Sequence, residues 1–395
     1  MPRWVAAKAE PELVTIVEQR RGRPIGWLLA LAATVAVALL VRCWFGHSPD
    51  DIEVFVRAGA AFTSGESPYH SGGLPFIYPP IAAVLFAPLA AGPSLLAGLI
   101  WTAFSSAACL LLVRWAGVLS PLTAGLVAVV AVALAAPFFE TIRIGQVGVI
   151  LAAVIVLDDV VGRTQPRWAG VLTGLATAVK LTPGLFVLAD ACRRDWRRAL
   201  VAAVAITALM AAGVALMPGA SLEFAQLVTE VGGDSATVHM SNQSVWAATT
   251  RLLGEGAAAT GAALVISLAV VAMAMLAALR STDRSTALCV VGMATLVASP
   301  ISWTHHWVWV LPVGILAYRK AFAPAARWLG LIVAGWVAVA PYRVFQAPGK
   351  VDYSIGEALI GAVSALLALG FVAAGVVGER AALADGSRPG AKAQM

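Results

Sequence analysis

The sequence predicts an all-α, polytopic membrane protein, and three observations predict it. Of the 395 residues, 60% are hydrophobic. Only 12% are charged, about half of the roughly 25% usual for a soluble domain. Mean hydropathy is +0.86, and the apolar residues fall in membrane-length runs separated by short basic turns. Lipid offers no partner to an unpaired backbone group, so a spanning segment must be a helix or a strand of a closed barrel. The runs are too long for barrel strands. About 20 helical residues cross the ~30 Å hydrocarbon core, so the chain has room for about ten to twelve crossings.

The elements follow in order. Residues 1–24 are polar and basic and read as a cytoplasmic tail. The first apolar run, 25–46, follows Arg20, Arg21 and Arg23. No small-residue cleavage site stands out after it, so it reads as a retained helix. The positive-inside rule then puts the N-terminus in the cytoplasm and the next loop, 47–93, outside. Within that loop, 77–91 is apolar but short, with prolines near both ends. A full crossing there would put Arg114 outside, so it reads as a half-buried segment on the outer side. Spans are expected at 94–114, 118–137 and 146–161. Residues 168–189 lie between two basic turns and are interrupted by Lys180-Leu181-Thr182-Pro183. They read as a helical hairpin or two short, broken helices. Such irregular backbone is tolerated at membrane depth only inside protein or beside a cavity. Further spans are expected at 199–217, 257–279, 286–301, 304–318, 327–342 and 356–377.

In this threading Arg114, Arg163, Arg167, the 193–198 run, Arg280, Arg284, Arg319 and Lys320 fall in cytoplasmic turns. The opposite side holds 47–93, 138–145, a second long loop at 218–256, 302–306 and 343–355. It is poorer in Lys and Arg. Residues 25–379 form a single transmembrane domain and 380–395 a second cytoplasmic tail, with no repeat. The net charge of +6 is spent in these turns and does not point to nucleic acid. Cys43, Cys109, Cys192 and Cys289 have neither CxxC spacing nor a disulfide framework, so they read as inert thiols.

Chemistry-bearing residues gather on the outer side. Asp50 and Asp51 stand where the first span leaves the bilayer. A carboxylate there can act on a substrate whose tail lies in lipid and whose head lies in water. Ser48, Pro49 and Asp51 also fit a helix start, with Ser48 as N-cap, over a surface helix at about 49–63 ending at Gly65. The two readings of Asp51, cap and proton acceptor, are compatible. Lys180 is some ten residues from either basic turn and reads as a cation lining a cavity, since ionisable groups at depth usually face one. Arg143 either neutralises a phosphate or pairs with Glu140 at i, i+3. His305 and His306 are adjacent at an outer turn and lack the i, i+4 spacing of a helical zinc pair. They suit hydrogen bonds to a sugar or phosphate better than a metal. Asn242 and Gln243 offer amides suited to sugar hydroxyls.

Taken together these pieces resemble glycosyltransferase family 87, polytopic enzymes of the GT-C class. The resemblance rests on Asp51-Ile52-Glu53-Val54-Phe55, Tyr78-Pro79-Pro80, Gly145-Gln146, Lys180-Leu181-Thr182-Pro183, Asn242-Gln243-Ser244 and Ser299-Pro300-Ile301-Ser302-Trp303 followed by His305-His306. It implies a GT-C-like fold with an extracytoplasmic first loop in the cell membrane. It also implies a polyprenyl-phosphate sugar donor, notably mannose, and a glycolipid or lipoglycan acceptor of the mycobacterial or corynebacterial envelope. Asp51 would correspond to the family's first-loop catalytic aspartate. Tyr78, Arg143, Gln146, Lys180, Asn242, Gln243, His305 and His306 would bind substrate. The likeness is greatest to α-1,2-mannosyltransferases of phosphatidylinositol mannoside and lipomannan synthesis. An arabinofuranosyltransferase in the family leaves the sugar open. This chain departs in a compact first loop and a short C-terminal tail.

A lipid monophosphate leaving group needs positive charge more than an acid, and Arg143, Lys180 and the histidines are the candidates to supply it. Asp50-Asp51 is not a DxD sequence, so neither a metal nor another cofactor is expected. A flippase would suit Lys180 and broken helices as well, but no related halves are visible. A structural subunit would need neither Lys180 nor the polar loops.

Overall fold

The structure is a computed structural model and describes residues 9–46, 51–70, 72–230, 238–347 and 350–384. Ser48, Pro49 and Asp50 of the expected helix start lie outside them. Among the described residues the chain is helical, with one isolated bridge, Asn242–Trp303, and no sheet. Helix α1 (Ala9–Phe45) begins within the expected N-terminal tail. α2 (Asp51–Ser64), a turn at Pro68–His70 and α3 (Pro80–Ala90) build a layer over the loop end of the bundle. α4 (Ser94–Trp115), α5 (Pro121–Leu134), α6 (Ala136–Ile144), α7 (Gly148–Thr164), α8 (Val171–Val179), α9 (Gly184–Cys192) and α10 (Trp196–Leu216) follow. α11 (Pro218–Glu230) and α12 (Val245–Leu253) occupy the second long loop. α13 (Ala257–Arg280), α14 (Arg284–Ala298), a 3-10 turn at Thr304–Trp309, α15 (Val310–Tyr318), α16 (Pro324–Val339), a turn at Pro341–Phe345 and α17 (Ile355–Ala384) complete the fold.

Among the described residues six stretches are long and apolar enough to cross a membrane: Pro24–Phe45, Ser94–Trp115, Trp196–Leu216, Ala257–Arg280, Pro324–Phe345 and Ile355–Val377. A seventh arises if α5 and α6, bent by 74°, form one broken span. Helix α10 leaves Leu200, Val204, Val214 and Leu216 exposed, an apolar strip of the kind that lipid covers. Fewer stretches qualify than the ten to twelve read from hydropathy, because several apolar runs are broken. The run at 118–137 splits at Ala135, whose extended backbone (φ −83°, ψ 118°) precedes a new helix with Pro137 in its first turn, where a missing N–H costs no helical bond. The run at 168–189 splits at Lys180, whose extended backbone (φ −148°, ψ 128°) ends α8. The run at 304–318 opens as a 3-10 turn before α15.

The apolar face of helix α2 packs against protein. Ile52, Val54, Phe55, Ala58, Gly59 and Ala61 are buried, and the fully buried Phe55 ring meets Tyr78, Phe86 and Trp101 at 4.6–5.4 Å between centroids. Burying one such side chain contributes about 1.5–3 kcal/mol. Gly59 permits the crossing with α3, because a Cβ there would lie 2.7 Å from the Phe86 carbonyl oxygen and 2.8 Å from the Ala87 Cα. The helix ends at Gly65 as expected, with Glu66 N donating to Ala61 O at 2.8 Å. Helix α3, at 11 residues, is too short to cross and packs beneath α2.

At the other end, buried carboxylates tie α7, α8, α9, α10 and α14 together. Asp158 accepts from the backbone N–H groups of Gly170 (2.9 Å) and Leu172 (3.0 Å), holding the start of α8. Arg284 is bidentate to Asp190 at 2.6 and 3.1 Å and lies 3.1 Å from Asp159. Arg163 and Trp115 complete the Asp159 shell at 2.6 and 3.1 Å. Arg284→Ala would remove the bidentate partner of buried Asp190 and one of three partners of Asp159. A loss of about 3–5 kcal/mol is expected, read as a lowered melting temperature and poor recovery from membranes. A melting temperature equal to wild type would mean the network contributes nothing.

Candidate functional site

The apolar layer formed by α2 and α3 carries two polar groups to the centre of the loop end. Asp51 is the first residue of α2 and half-buried. Tyr78, in the turn before α3, is buried and donates its hydroxyl to Gln146 Oε1 at 3.4 Å. Gln146 reaches that position because α6 ends on Gly145 in the left-handed region (φ +76°). A Cβ at Gly145 would stand 2.9 Å from that of Ile52, so glycine lets the α6–α7 connection close against the start of α2.

Lys180 enters from below, at the break between α8 and α9. Its Nζ lies 3.1 Å from His306 Nε2 and 5.6 Å from the centroid of the Tyr78 ring. The Asp51 carboxylate is close enough for its charge to act on both the Tyr78 phenol and the Lys180 amine. Burial pushes the Tyr78 phenol well above its ordinary range, and the Asp51 charge pushes it further. Tyr78 is therefore a hydrogen-bond donor here and Asp51 the group able to accept a proton. The other ring nitrogen of His306, Nδ1, accepts from Trp303 N–H at 3.2 Å.

Asp51, Tyr78, Gln146, Lys180 and His306 thus converge. His305 is beside them, its ring 4.6 Å from that of His306, and its Nε2 is shielded from solvent without a partner among the described residues. Arg143 takes the pairing alternative: its Nε and Nη2 donate to Glu140 Oε2 at 3.0 and 2.7 Å. Asn242 and Gln243, expected to meet sugar hydroxyls, are fully buried and serve the backbone instead. Asn242 Oδ1 accepts from Ser302 N at 2.9 Å, its Nδ2 donates to Pro300 O at 3.0 Å, and Gln243 Nε2 donates to Met240 O at 2.6 Å. They pin the extended 299–303 segment that delivers the histidine turn.

Below Lys180 and His306 lies a pocket of about 60 Å³, walled by Ser299, Ser302, Phe186 and Trp309. That is room for about two waters and not for a sugar ring. An apolar groove of about 410 Å³ runs from Pro80 and Leu181 between α3, α10 and α11, past Gly213, Val214 and Phe224. Its lining includes Leu181, the residue after Lys180, and Pro80, two residues after Tyr78. Among the described residues no three His, Cys, Asp or Glu gather as metal ligands would.

The profile of Glycosyltransferase family 87 matches residues 76–300. The chain belongs to this family. Among its relatives is a polyprenol-phosphate-mannose-dependent alpha-(1-2)-phosphatidylinositol mannoside mannosyltransferase of Mycobacterium tuberculosis (strain ATCC 25618 / H37Rv). It is 32% identical, over 82% of this chain and 84% of that protein. A protein of the same description from Mycolicibacterium smegmatis is 33% identical over 80% and 82%. A polyprenol-phosphate-mannose-dependent alpha-(1-2)-phosphatidylinositol pentamannoside mannosyltransferase of Mycobacterium tuberculosis (strain CDC 1551 / Oshkosh) is 34% identical over 91% and 89%. The glycosyltransferase family 87 segment holds Tyr78, Gln146 and Lys180; Asp51 and His306 flank it on either side. Folding brings the flanks to the segment.

Sequence reasoning missed Arg343. It lies in the Pro341–Phe345 turn and donates from Nη2 to Glu140 Oε1. It missed Ser241 and Gln346 as well, which bond each other near the Trp303–His239 ring contact. No local pattern marks these residues, because their partners lie 105 to 203 positions away.

Proposed function

We propose that this protein transfers a mannosyl residue from a polyprenyl-phosphate donor to a phosphatidylinositol mannoside acceptor, forming an α-1,2 linkage. The reaction would take place on the extracytoplasmic side of the plasma membrane. The observation that carries the reading is the convergence of Asp51, Tyr78, Lys180 and His306, with an apolar groove lined by their chain neighbours Pro80 and Leu181. The groove suits a hydrocarbon tail, and the Lys180 cation suits the phosphate attached to it. The activities of the relatives supply the sugar, the acceptor class and the linkage.

The acceptor hydroxyl attacks the anomeric carbon and its proton passes to Asp51. The bond from that carbon to the phosphate oxygen breaks, its electron pair stays on the oxygen, and a lipid monophosphate leaves. Lys180 and His306 meet the charge that develops there. One base acting in a single displacement inverts the anomeric centre. The small pocket below the Lys180–His306 pair leaves the sugar ring on the Asp51 side.

Purified protein in nanodiscs, given polyprenyl-phosphomannose and phosphatidylinositol mannosides, is expected to add one hexose in α-1,2 linkage, with or without EDTA. Product mass and NMR of the new linkage read the result. Transfer only from polyprenyl-phosphoarabinose would move the donor to a pentose. No transfer from either lipid would overturn the assignment, and loss in EDTA would bring in a metal.

A further inference from the structure

We infer that Arg143 and Arg343 form the site that recognises the phosphodiester of the acceptor, separate from the Lys180 site for the donor. The inference rests on the glycolipid-acceptor reading above.

Glu140 is shared between two guanidinium groups from distant parts of the chain. Its Oε2 takes Nε and Nη2 of Arg143, and its Oε1 takes Nη2 of Arg343. The carboxylate side chain is 9% exposed, while Arg143 is 28% and Arg343 37% exposed. Two cations on one anion leave a surplus of one positive charge, facing outward. Arg143 Nη1 and Arg343 Nε and Nη1 bond nothing among the described residues. A purely structural tie between α6 and the 341–345 turn needs one arginine, not two.

A phosphodiester carries one negative charge throughout the physiological range, which matches the surplus. Guanidinium groups bind phosphate through paired, directional N–H bonds. Here both are already oriented by Glu140, so little side-chain entropy remains to be lost on binding.

The location fits an acceptor. Thr141, next to Glu140, donates to His305 O at 3.2 Å, and Tyr342, next to Arg343, donates to Thr304 Oγ1 at 3.2 Å. The arginine pair is therefore stapled on both sides to the turn that carries His305 and His306. The Arg143 charge acts on the His305 ring, and His305 Nε2 is the shielded, unpartnered atom of that turn. Lys180 approaches the same turn from the α8–α9 break, through His306. Two anionic groups bound there would be kept apart by the two histidines. A donor phosphate and an acceptor phosphate must be kept apart in the same way while the sugar passes between them.

The test compares an anionic with an uncharged acceptor. Wild type, Arg343→Gln and Arg343→Lys are assayed in nanodiscs with a phosphatidylinositol mannoside and with an alkyl mannoside. Binding of each acceptor is measured separately from turnover. Arg343→Gln is expected to lower the ratio of kcat/KM for the anionic over the uncharged acceptor about tenfold, mainly through KM. Affinity for the anionic acceptor should weaken to match, and Arg343→Lys should recover part of both. A ratio equal to wild type, or equal losses on both acceptors, overturns the inference even where transfer is intact. Wild-type protein that transfers to neither acceptor, yet binds the anionic one through Arg343, overturns the mannosyltransfer reading and leaves this site standing.

Discussion

Asp51→Asn is expected to remove about 10²–10⁴-fold of turnover, the usual contribution of a general base, while the protein stays folded. The amide keeps the shape of the carboxylate at the start of α2. The buried face of that helix, from Ile52 to Ala61, does not involve it. Losing a negative charge at a helix N-terminus costs about 0.3–1 kcal/mol, too little to unfold a chain with this much buried surface. Tyr78 cannot take over, because burial keeps its phenol protonated. The assay is mannosyl transfer in membranes, normalised to protein amount by immunoblot. Turnover within a few fold of wild type would remove Asp51 as the base.

Lys180→Met is expected to lower kcat by about 10²–10³-fold, the effect seen when one preorganised donor to a developing anion is removed. Methionine keeps an unbranched stem beneath the Tyr78 ring and deletes only the charged head. His306, 3.1 Å away, should lose its effect at the same time. In a double-mutant cycle with His306→Gln, the combined loss should therefore fall well short of the sum. Steady-state kinetics on the lipid donor separate kcat from KM. A kcat within twofold of wild type would show that the leaving phosphate is stabilised elsewhere. Strict additivity with His306→Gln would show that the two side chains work independently.

The helical, membrane-spanning character was legible because it depends on composition and on run length. So was the break at Lys180, since proline three residues later and a lysine inside an apolar run each disfavour a continuous membrane helix. Asp51, Tyr78, Gln146, Lys180 and His306 were singled out through short segments resembling a known family, and the structure brings them near one another. The count of full-length spans was not, because Ala135, Lys180 and the Thr304–Trp309 turn break apolar runs that hydropathy reads as continuous. Asn242 and Gln243 were misplaced for a related reason. An amide that binds a sugar and one that pins a neighbouring backbone have the same sequence signature; only burial separates them.

Composition and patterning alone determine that this chain folds as helices in lipid, since every backbone group there needs a partner within reach. They also determine which residues are chemically out of place in an apolar environment. Which of those residues meet was decided by the tertiary structure. Asp51 and His306 stand 255 positions apart, and Glu140 and Arg343 stand 203 apart. Each pairing depends on how helices cross: α2 over α3 at Gly59, α6 turning back at Gly145, and the extended 299–303 segment held by buried amides. Helix periodicity carries information over one or two turns. Close packing carries it across the whole chain, and it brought the carboxylate, the lysine and the histidine turn together.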